Sequence, residues 1–210
     1  MTVAVSATRE RLLDVAEQLF ARNGYQGVTT REITEAAEQR NTSAVTYHFG
    51  SRQGLLLAIL ARRGGPIDRE RGLMRSQAGE NPRTRDLVAA LVVPYANRLH
   101  TDEGRSYLRI VAQMRGRFAA WRVESDASTT VHLAAILDEI EDRQEGSAAV
   151  GRERVLGLII LLSGTVAERA RNLDDPAGME DEALDHDQFV ENLIEMCTAV
   201  VGGAPGSRPG

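Results

Sequence analysis

The chain has 210 residues, 42% of them apolar, 4% aromatic and 26% charged, and 25 basic against 30 acidic groups give a net charge of -5. That length holds one sizeable domain, or a small domain beside a larger one, and the composition excludes a disordered or fibrous chain. A single Cys197 excludes an internal disulfide, suits a reducing compartment and reads as a small buried hydrophobe.

Met1 to Arg11 lacks the charged start and long apolar core of a signal peptide. Val155 to Ala167 is too short and too interrupted by Gly and Ser to span a bilayer, which takes about 20 apolar residues. A soluble cytoplasmic protein without membrane contact is expected. The charge is uneven: residues 1–55 carry six Arg and six acids, 56–117 twelve Arg and six acids, and 123–195 five Arg and eighteen acids. The acidic balance therefore does not repel an anionic partner from the N-terminal part. Every basic residue is Arg.

Apolar residues recur at three and four rather than at two, which predicts an all-α protein. Ser6 or Thr8 can cap a first helix with an apolar face of Leu12, Leu13, Val15, Ala16, Leu19 and Phe20, ended by Asn23-Gly24. Thr29 or Thr30 caps a second helix, with Glu32 in its first turn and Ile33, Ala36 and Ala37 facing inward. After the turn Glu38 to Arg40, the polar start Asn41-Thr42-Ser43 opens a third helix of about two turns, too short to stand alone. Val45 and Phe49 share its inner face, Gly50 ends it, and Ser51 caps the next helix.

Three helices in some fifty residues, the last two short and joined by a tight turn, describe a helix-turn-helix unit. The run Leu-Phe-Ala-Arg-Asn-Gly-Tyr-Gln-Gly-Val-Thr-Thr-Arg-Glu-Ile at 19–33, then Tyr-His-Phe-Gly-Ser-Arg at 47–52 and Leu55-Leu56, resembles the N-terminal signature of the tetracycline-repressor (TetR) family of transcriptional regulators. The resemblance covers residues 8–60. It departs from the family in the turn before the third helix, where Glu38-Gln39-Arg40 stand in place of Gly and an apolar residue and add one residue. Thr46 stands where many members have Tyr, with Tyr47 beside it, and Arg52 where Lys is usual.

Further along, Leu55, Leu56, Ile59 and Leu60 begin a long amphipathic segment, and Gly64-Gly65-Pro66 predicts a kink or break in it. Helices are expected over Thr84–His100, kinked at Pro94, over Glu103–Arg117 and over Thr129–Glu145. Two apolar stripes follow, one of Val155, Leu156, Ile159, Leu162, Ser163 and Val166, the other of Phe189, Leu193, Met196, Cys197 and Val200. From periodicity they fit either a core helix pair or an interface. Asn172 to Asp185 reads as an acidic loop.

The resemblance implies a helix-turn-helix DNA-binding domain at 1–55, a larger helical ligand-binding and dimerisation domain at 56–203 and a disordered tail at 204–210. It implies a homodimer joined through Val155, Ile159, Leu162, Val166, Phe189, Leu193, Cys197 and Val200. The expected partners are a double-stranded DNA operator and a small-molecule effector; no cofactor, metal or catalytic residue is expected. Asn41, Thr42, Ser43 and Thr46 are candidates to face bases, Asn41 serving equally well as a helix cap. Tyr47, His48 and Arg52, with Thr30 and Arg31 at the start of the second helix, are candidate phosphate contacts. Tyr95, Tyr107, Val111, Met114, Phe118 and Trp121 are candidate effector-lining residues, core packing being the alternative, and Arg105, Arg109 and Arg115 either draw an acidic ligand or form a solvated face. The alternatives are a helical protein-interaction module or a helical enzyme; against the latter, no phosphate loop, nucleophile elbow or Glu-x-x-His motif occurs in 66–172.

Overall fold

The computed structural model describes residues 2–41, 43–114, 130–175 and 184–202, and every regular element among them is helical. Helices α1 (Thr2–Asn23), α2 (Thr30–Ala36) and α3 (Ala44–Phe49) precede the long α4 (Arg52–Gln77). Then come α5 (Thr84–Ala96), a 3-10 turn (Asn97–His100), α6 (Asp102–Gln113), α7 (Val131–Asp142), α8 (Ala148–Asp174) and α9 (His186–Gly202). The expected tail 204–210 and most of the 172–185 loop lie outside the described residues, and Asn172 and Asp174 belong to the end of α8 rather than to a loop.

Helix α1 starts at Thr2, so Ser6 and Thr8 fall within it instead of capping it. Its end is the expected one: Gly24 takes φ 79, a left-handed conformation cheap for Gly, and its N–H closes on Phe20 O at 3.1 Å. Leu12, Leu13, Ala16 and Phe20 are buried in the core. In α2, Ile33 and Ala37 are buried but Ala36 is exposed, and Thr34 takes the inner position instead. Residues 30, 33, 34 and 37 share one face at helical spacing, which turns 36 outward.

Gly64-Gly65-Pro66 does not end α4. The helix runs through Pro66 without interruption. Proline removes one backbone donor and crowds the preceding turn, but packing holds both flanks, with Leu55, Leu56, Ile59 and Leu60 buried before it and Ile67, Asp68 and Arg71 after it. The flanking residues are also tied to α1. Glu17, only 2% exposed, accepts hydrogen bonds from Arg63 Nε at 2.8 Å and Arg62 Nη2 at 2.5 Å, while Arg62 Nη1 reaches Asp14 at 2.8 Å. Removing one partner from a buried ion pair of this kind typically costs about 3–5 kcal/mol. Pro94 is likewise carried inside α5, which tightens into the 3-10 turn two residues later.

Buried side chains form one continuous cluster from Leu12 on α1 to Val201 on α9. Helix α8 packs against α6 and α9, and α9 against α5. Of the two readings left open by periodicity for the C-terminal stripes, this contact favours the core helix pair for most of their residues. Val155, Leu162, Val166, Phe189, Leu193 and Cys197 are buried within a single chain, and only Ile159 and Val200 of the expected interface set remain partly exposed. Near the middle of α8, Leu156 and Ile160 turn outward, 37% and 44% exposed, as do Val150 and Leu173 towards its ends. Burial pushes the Cys197 thiol up to about 11, so it stays protonated as a small hydrophobe.

Candidate nucleic-acid interface

The entry to α2 is fixed by a reciprocal cap. Thr29 Oγ1 accepts the Glu32 N–H at 3.2 Å, and the Glu32 carboxylate accepts the Thr29 N–H at 2.7 Å. That backbone bond, with the Thr29 hydroxyl, holds the Glu32 carboxyl below its usual range. Thr30 is the first residue of α2, and Arg31 projects beside it with its side chain 80% exposed. Arg31 pairs with Glu35 at 2.7 Å, an exposed i,i+4 contact worth little in water and easily exchanged for a phosphate.

The longer turn solves its geometry at Glu38. This residue adopts φ 56, the left-handed region that a glycine would enter without strain. Glu38 N–H then reaches Glu35 O at 3.0 Å, Gln39 N–H reaches Thr34 O at 2.8 Å, and Arg11 of α1 meets the Glu38 carboxylate at 2.7 Å. Asn41 sits a turn ahead of α3, its Oδ1 accepting the Ser43 N–H at 2.9 Å. Ser43 precedes the first helical residue but makes no side-chain cap bond. Thr42 lies outside the described residues.

Helix α3 is six residues long and is held by its buried Ala44 and Val45, with Phe49 partly buried against the same core and Arg9 of α1 5.1 Å over the Phe49 ring. It packs on α4 and α2, where Leu55 and Ile33 are fully buried. The opposite face is polar and open: Asn41, Ser43 and Thr46 are exposed, and Tyr47 is 74% exposed. His48 is half-buried, its ring edge-on to Tyr47 with centroids 4.9 Å apart. Arg40, in the turn, is exposed on the approach to Asn41; as the turn's sole basic residue it could have been proposed from sequence.

Arg52 behaves differently from the expectation. Ser51 caps α4 as expected, accepting the Gly54 N–H at 2.9 Å, but the Arg52 guanidinium turns inward. It donates to Val28 O at 2.6 Å and lies 4.4 Å over the Tyr25 ring. Its planar cation is spent on fixing the connector ahead of α2, a role that spacing alone does not reveal.

Among the candidate effector-lining residues, Tyr95 and Tyr107 are buried edge to face with centroids 6.4 Å apart, and Val111 and Met114 pack partly buried against the same core. Phe118, Trp121 and Arg115 lie outside the described residues. Arg105 and Arg109 are both paired with Asp174, which removes them as free cations for an acidic ligand. Among the described residues no group of three His, Cys, Asp or Glu could hold a metal, and no helix is long and apolar enough to cross a membrane.

A short helix with an open polar face, clamped by two neighbours and carried on a long helix shared with a larger helical body, defines a helix-turn-helix protein with an appended all-α domain. Residues 12–59 match the family model for bacterial regulatory proteins of the tetR family. Over 100 residues the chain is 31% identical to the HTH-type transcriptional repressor AcnR of Corynebacterium glutamicum, covering 45% of this chain and 52% of AcnR. Over 52 residues it is 38% identical to the HTH-type transcriptional regulator QacR of Staphylococcus aureus, covering 25% of this chain and 27% of QacR. The chain thus spans about half the length of the AcnR relative and less of QacR. The solved structure of SmeT, the repressor of the Stenotrophomonas maltophilia multidrug efflux pump SmeDEF, superimposes with a TM-score of 0.56 over 98% of each chain at 22% identity, a likeness of fold. The N-terminal part of this chain is thus similar to bacterial regulators of the tetR family, and the whole chain shares the fold of SmeT.

Proposed function

We propose that this protein is a transcriptional regulator that binds a pseudo-palindromic DNA operator as a homodimer and is released by a small-molecule effector. The observation that carries the reading is the exposed polar face of α3, with Tyr47 74% exposed on a helix whose other side is clamped in the core. A helix presented in this way fits the major groove, with its N-terminal polar residues toward base edges. In that docking Asn41, Ser43 and Thr46 lie toward bases, and Thr30, Arg31, Tyr47 and His48 toward phosphates. Arg52 is a positioning residue. The division of the chain follows the same logic: 1–55 reads DNA and 56–203 binds ligand and partner, with α4 belonging mechanically to both.

For the dimer, Leu156 and Ile160 extend an outward apolar strip on α8 that Ile159 and Val200 border from the core side. Gly157 of α8 faces α9, where a Cβ would meet Val200 at 3.5 Å, an ordinary contact. Repression, rather than activation, is the function named for AcnR and SmeT and is proposed here by likeness. Selection of bound duplexes from a random DNA pool tests the reading, with a two-fold symmetric site expected and no enriched sequence counting against it.

A further inference from the structure

The second half of α4 holds a buried cation, Arg71, that feels the charges of Asp68 and Glu70 but makes no ion pair with any described residue. Gly64, Asp68, Arg71, Gly72 and Arg75 recur at three- and four-residue spacing and share a side of the helix, which packs against α5, α6 and α7. Asp68 is 3% exposed, and its two carboxylate oxygens accept the N–H groups of His132 at 3.0 Å and Leu133 at 2.8 Å, capping the start of α7. Arg71 is 7% exposed, and its Nε has no hydrogen-bond partner. The other nearby carboxylates are committed elsewhere, Glu70 to Arg98 at 2.8 Å and Glu139 to Arg75 at 2.6 Å. Among the described residues none makes an ion pair with Arg71.

Tyr95 lies with its ring centroid 6.0 Å from the Arg71 guanidinium carbon and edge-on to Tyr107. The Tyr107 hydroxyl approaches α4 where Gly64 has no side chain; a Cβ there would sit 3.2 Å from it. Burial, the largest influence, pushes Tyr107 up to about 12, so its hydroxyl keeps a proton to donate. Burial also lowers the Arg71 pKa, but a guanidinium stays charged in proteins and cannot escape the cost by deprotonating. A buried, unpaired cation is costly, and each such group in a native structure calls for a physical account. A bound anion supplies one. The guanidinium fork matches the two oxygens of a carboxylate, and the fully buried Ile67 lies one turn back on α4. A dianion such as phosphate would bring more charge than one guanidinium neutralises.

We propose that Arg71 anchors an effector site for an organic monocarboxylate, gripping its two oxygens while the Tyr107 hydroxyl donates a further hydrogen bond. This rests on the reading of the chain as a ligand-responsive regulator. Full-length protein titrated by calorimetry with the straight-chain carboxylates from acetate to decanoate, benzoate and phenylacetate, each beside its neutral amide, tests it. At least one carboxylate should bind at least tenfold more tightly than its amide. Arg71→Met should erase that preference, and Arg71→Lys, which keeps charge but loses the fork, should fall between. Arg71→Lys alone decides if the Met variant does not fold. Carboxylates bound no better than amides, or equally well by the Arg71 variants, or inorganic phosphate bound as tightly as the best acid, would overturn the assignment. Binding of a selected DNA duplex by the unliganded protein is measured in parallel; its absence would sink the regulator reading and leave the calorimetric result standing by itself.

Discussion

Gln113, at the end of α6, holds the backbone of Tyr25, its Oε1 accepting the Tyr25 N–H at 3.1 Å while its Nε2 donates to Phe20 O at 3.2 Å. One side chain of the larger helical body thereby fixes the end of α1 and the connector that leads to α2. The Tyr25 ring in turn carries the Arg52 guanidinium, which grips Val28 O just before the Thr29 cap. The chain of contacts from α6 to α2 is continuous, so a shift of α6 is felt at the start of the DNA-facing helices.

Gln113→Ala removes both bonds and leaves the Tyr25 N–H without its acceptor. A loss of about 1–2 kcal/mol in urea-unfolding free energy is expected. Effector and DNA binding should also become less coupled, since linkage requires each to alter the other's affinity by the same factor. A variant as stable as the parent and as responsive would contradict the relay.

Glu38→Gly should be stabilising. The left-handed φ of 56 costs a non-glycine residue about 1 kcal/mol, more than the exposed Arg11 contact returns. A rise of about 0.5–1 kcal/mol in unfolding free energy is expected, and a fall would show that the Arg11–Glu38 pair outweighs the backbone strain.

Arg31 and Arg52 should separate in a salt titration. Arg31→Ala should reduce the slope of log affinity against log salt by about one unit, as for the loss of a single phosphate contact. Arg52→Ala should leave the slope nearly unchanged and lower stability by about 1 kcal/mol, through the lost Val28 bond and Tyr25 contact. A flattened slope for Arg52→Ala at unchanged stability would restore it to the phosphate set.

His186 makes stability depend on pH. Its ring lies 4.1 Å from that of His100, centroid to centroid, and its Nε2 is 3.2 Å from Asn97 Oδ1. Burial first, then the charges of His100 and Arg169, outweigh Asp187 and Asp185 and hold its pKa below the ordinary 6.5. Below that pH the unfolded chain takes up the proton first, so the favourable balance present above it is lost as pH falls through the depressed folded value. Between about pH 7 and pH 5 the urea midpoint of the parent should fall more steeply than that of His186→Gln. Parallel curves would remove His186 from the acid response.

Much of this was legible in sequence wherever short-range rules decide the outcome. The Thr29–Glu32 cap, the Ser51 cap, the Gly24 stop and the inward Val45 all follow from spacing and side-chain chemistry within a few residues. The misses share one cause, contacts between residues far apart in the chain. Pro66 reads locally as a kink or a break, and no break occurs, because Glu17, 45 and 46 residues away from its partners, ties Arg62 and Arg63 to α1. Arg52 reads as a surface cation until Tyr25 is brought beneath it. The C-terminal stripes fit a core helix pair as well as an interface until α8 and α9 close on α5 and α6. Arg71 carries no local mark at all; its isolation appears only when Asp68, Glu70 and Glu139 are seen to be committed to other partners.

The central claim is that two copies of α3 read DNA together. Selection from a random duplex pool, followed by hydroxyl-radical footprinting of the enriched site, tests it most directly. The expected result is a pseudo-palindrome with two protected half-sites about one duplex turn apart, or a small multiple of it, whose protection is lost in Tyr47→Ala. No enriched sequence, a footprint without two-fold symmetry, or full protection by Tyr47→Ala would contradict it.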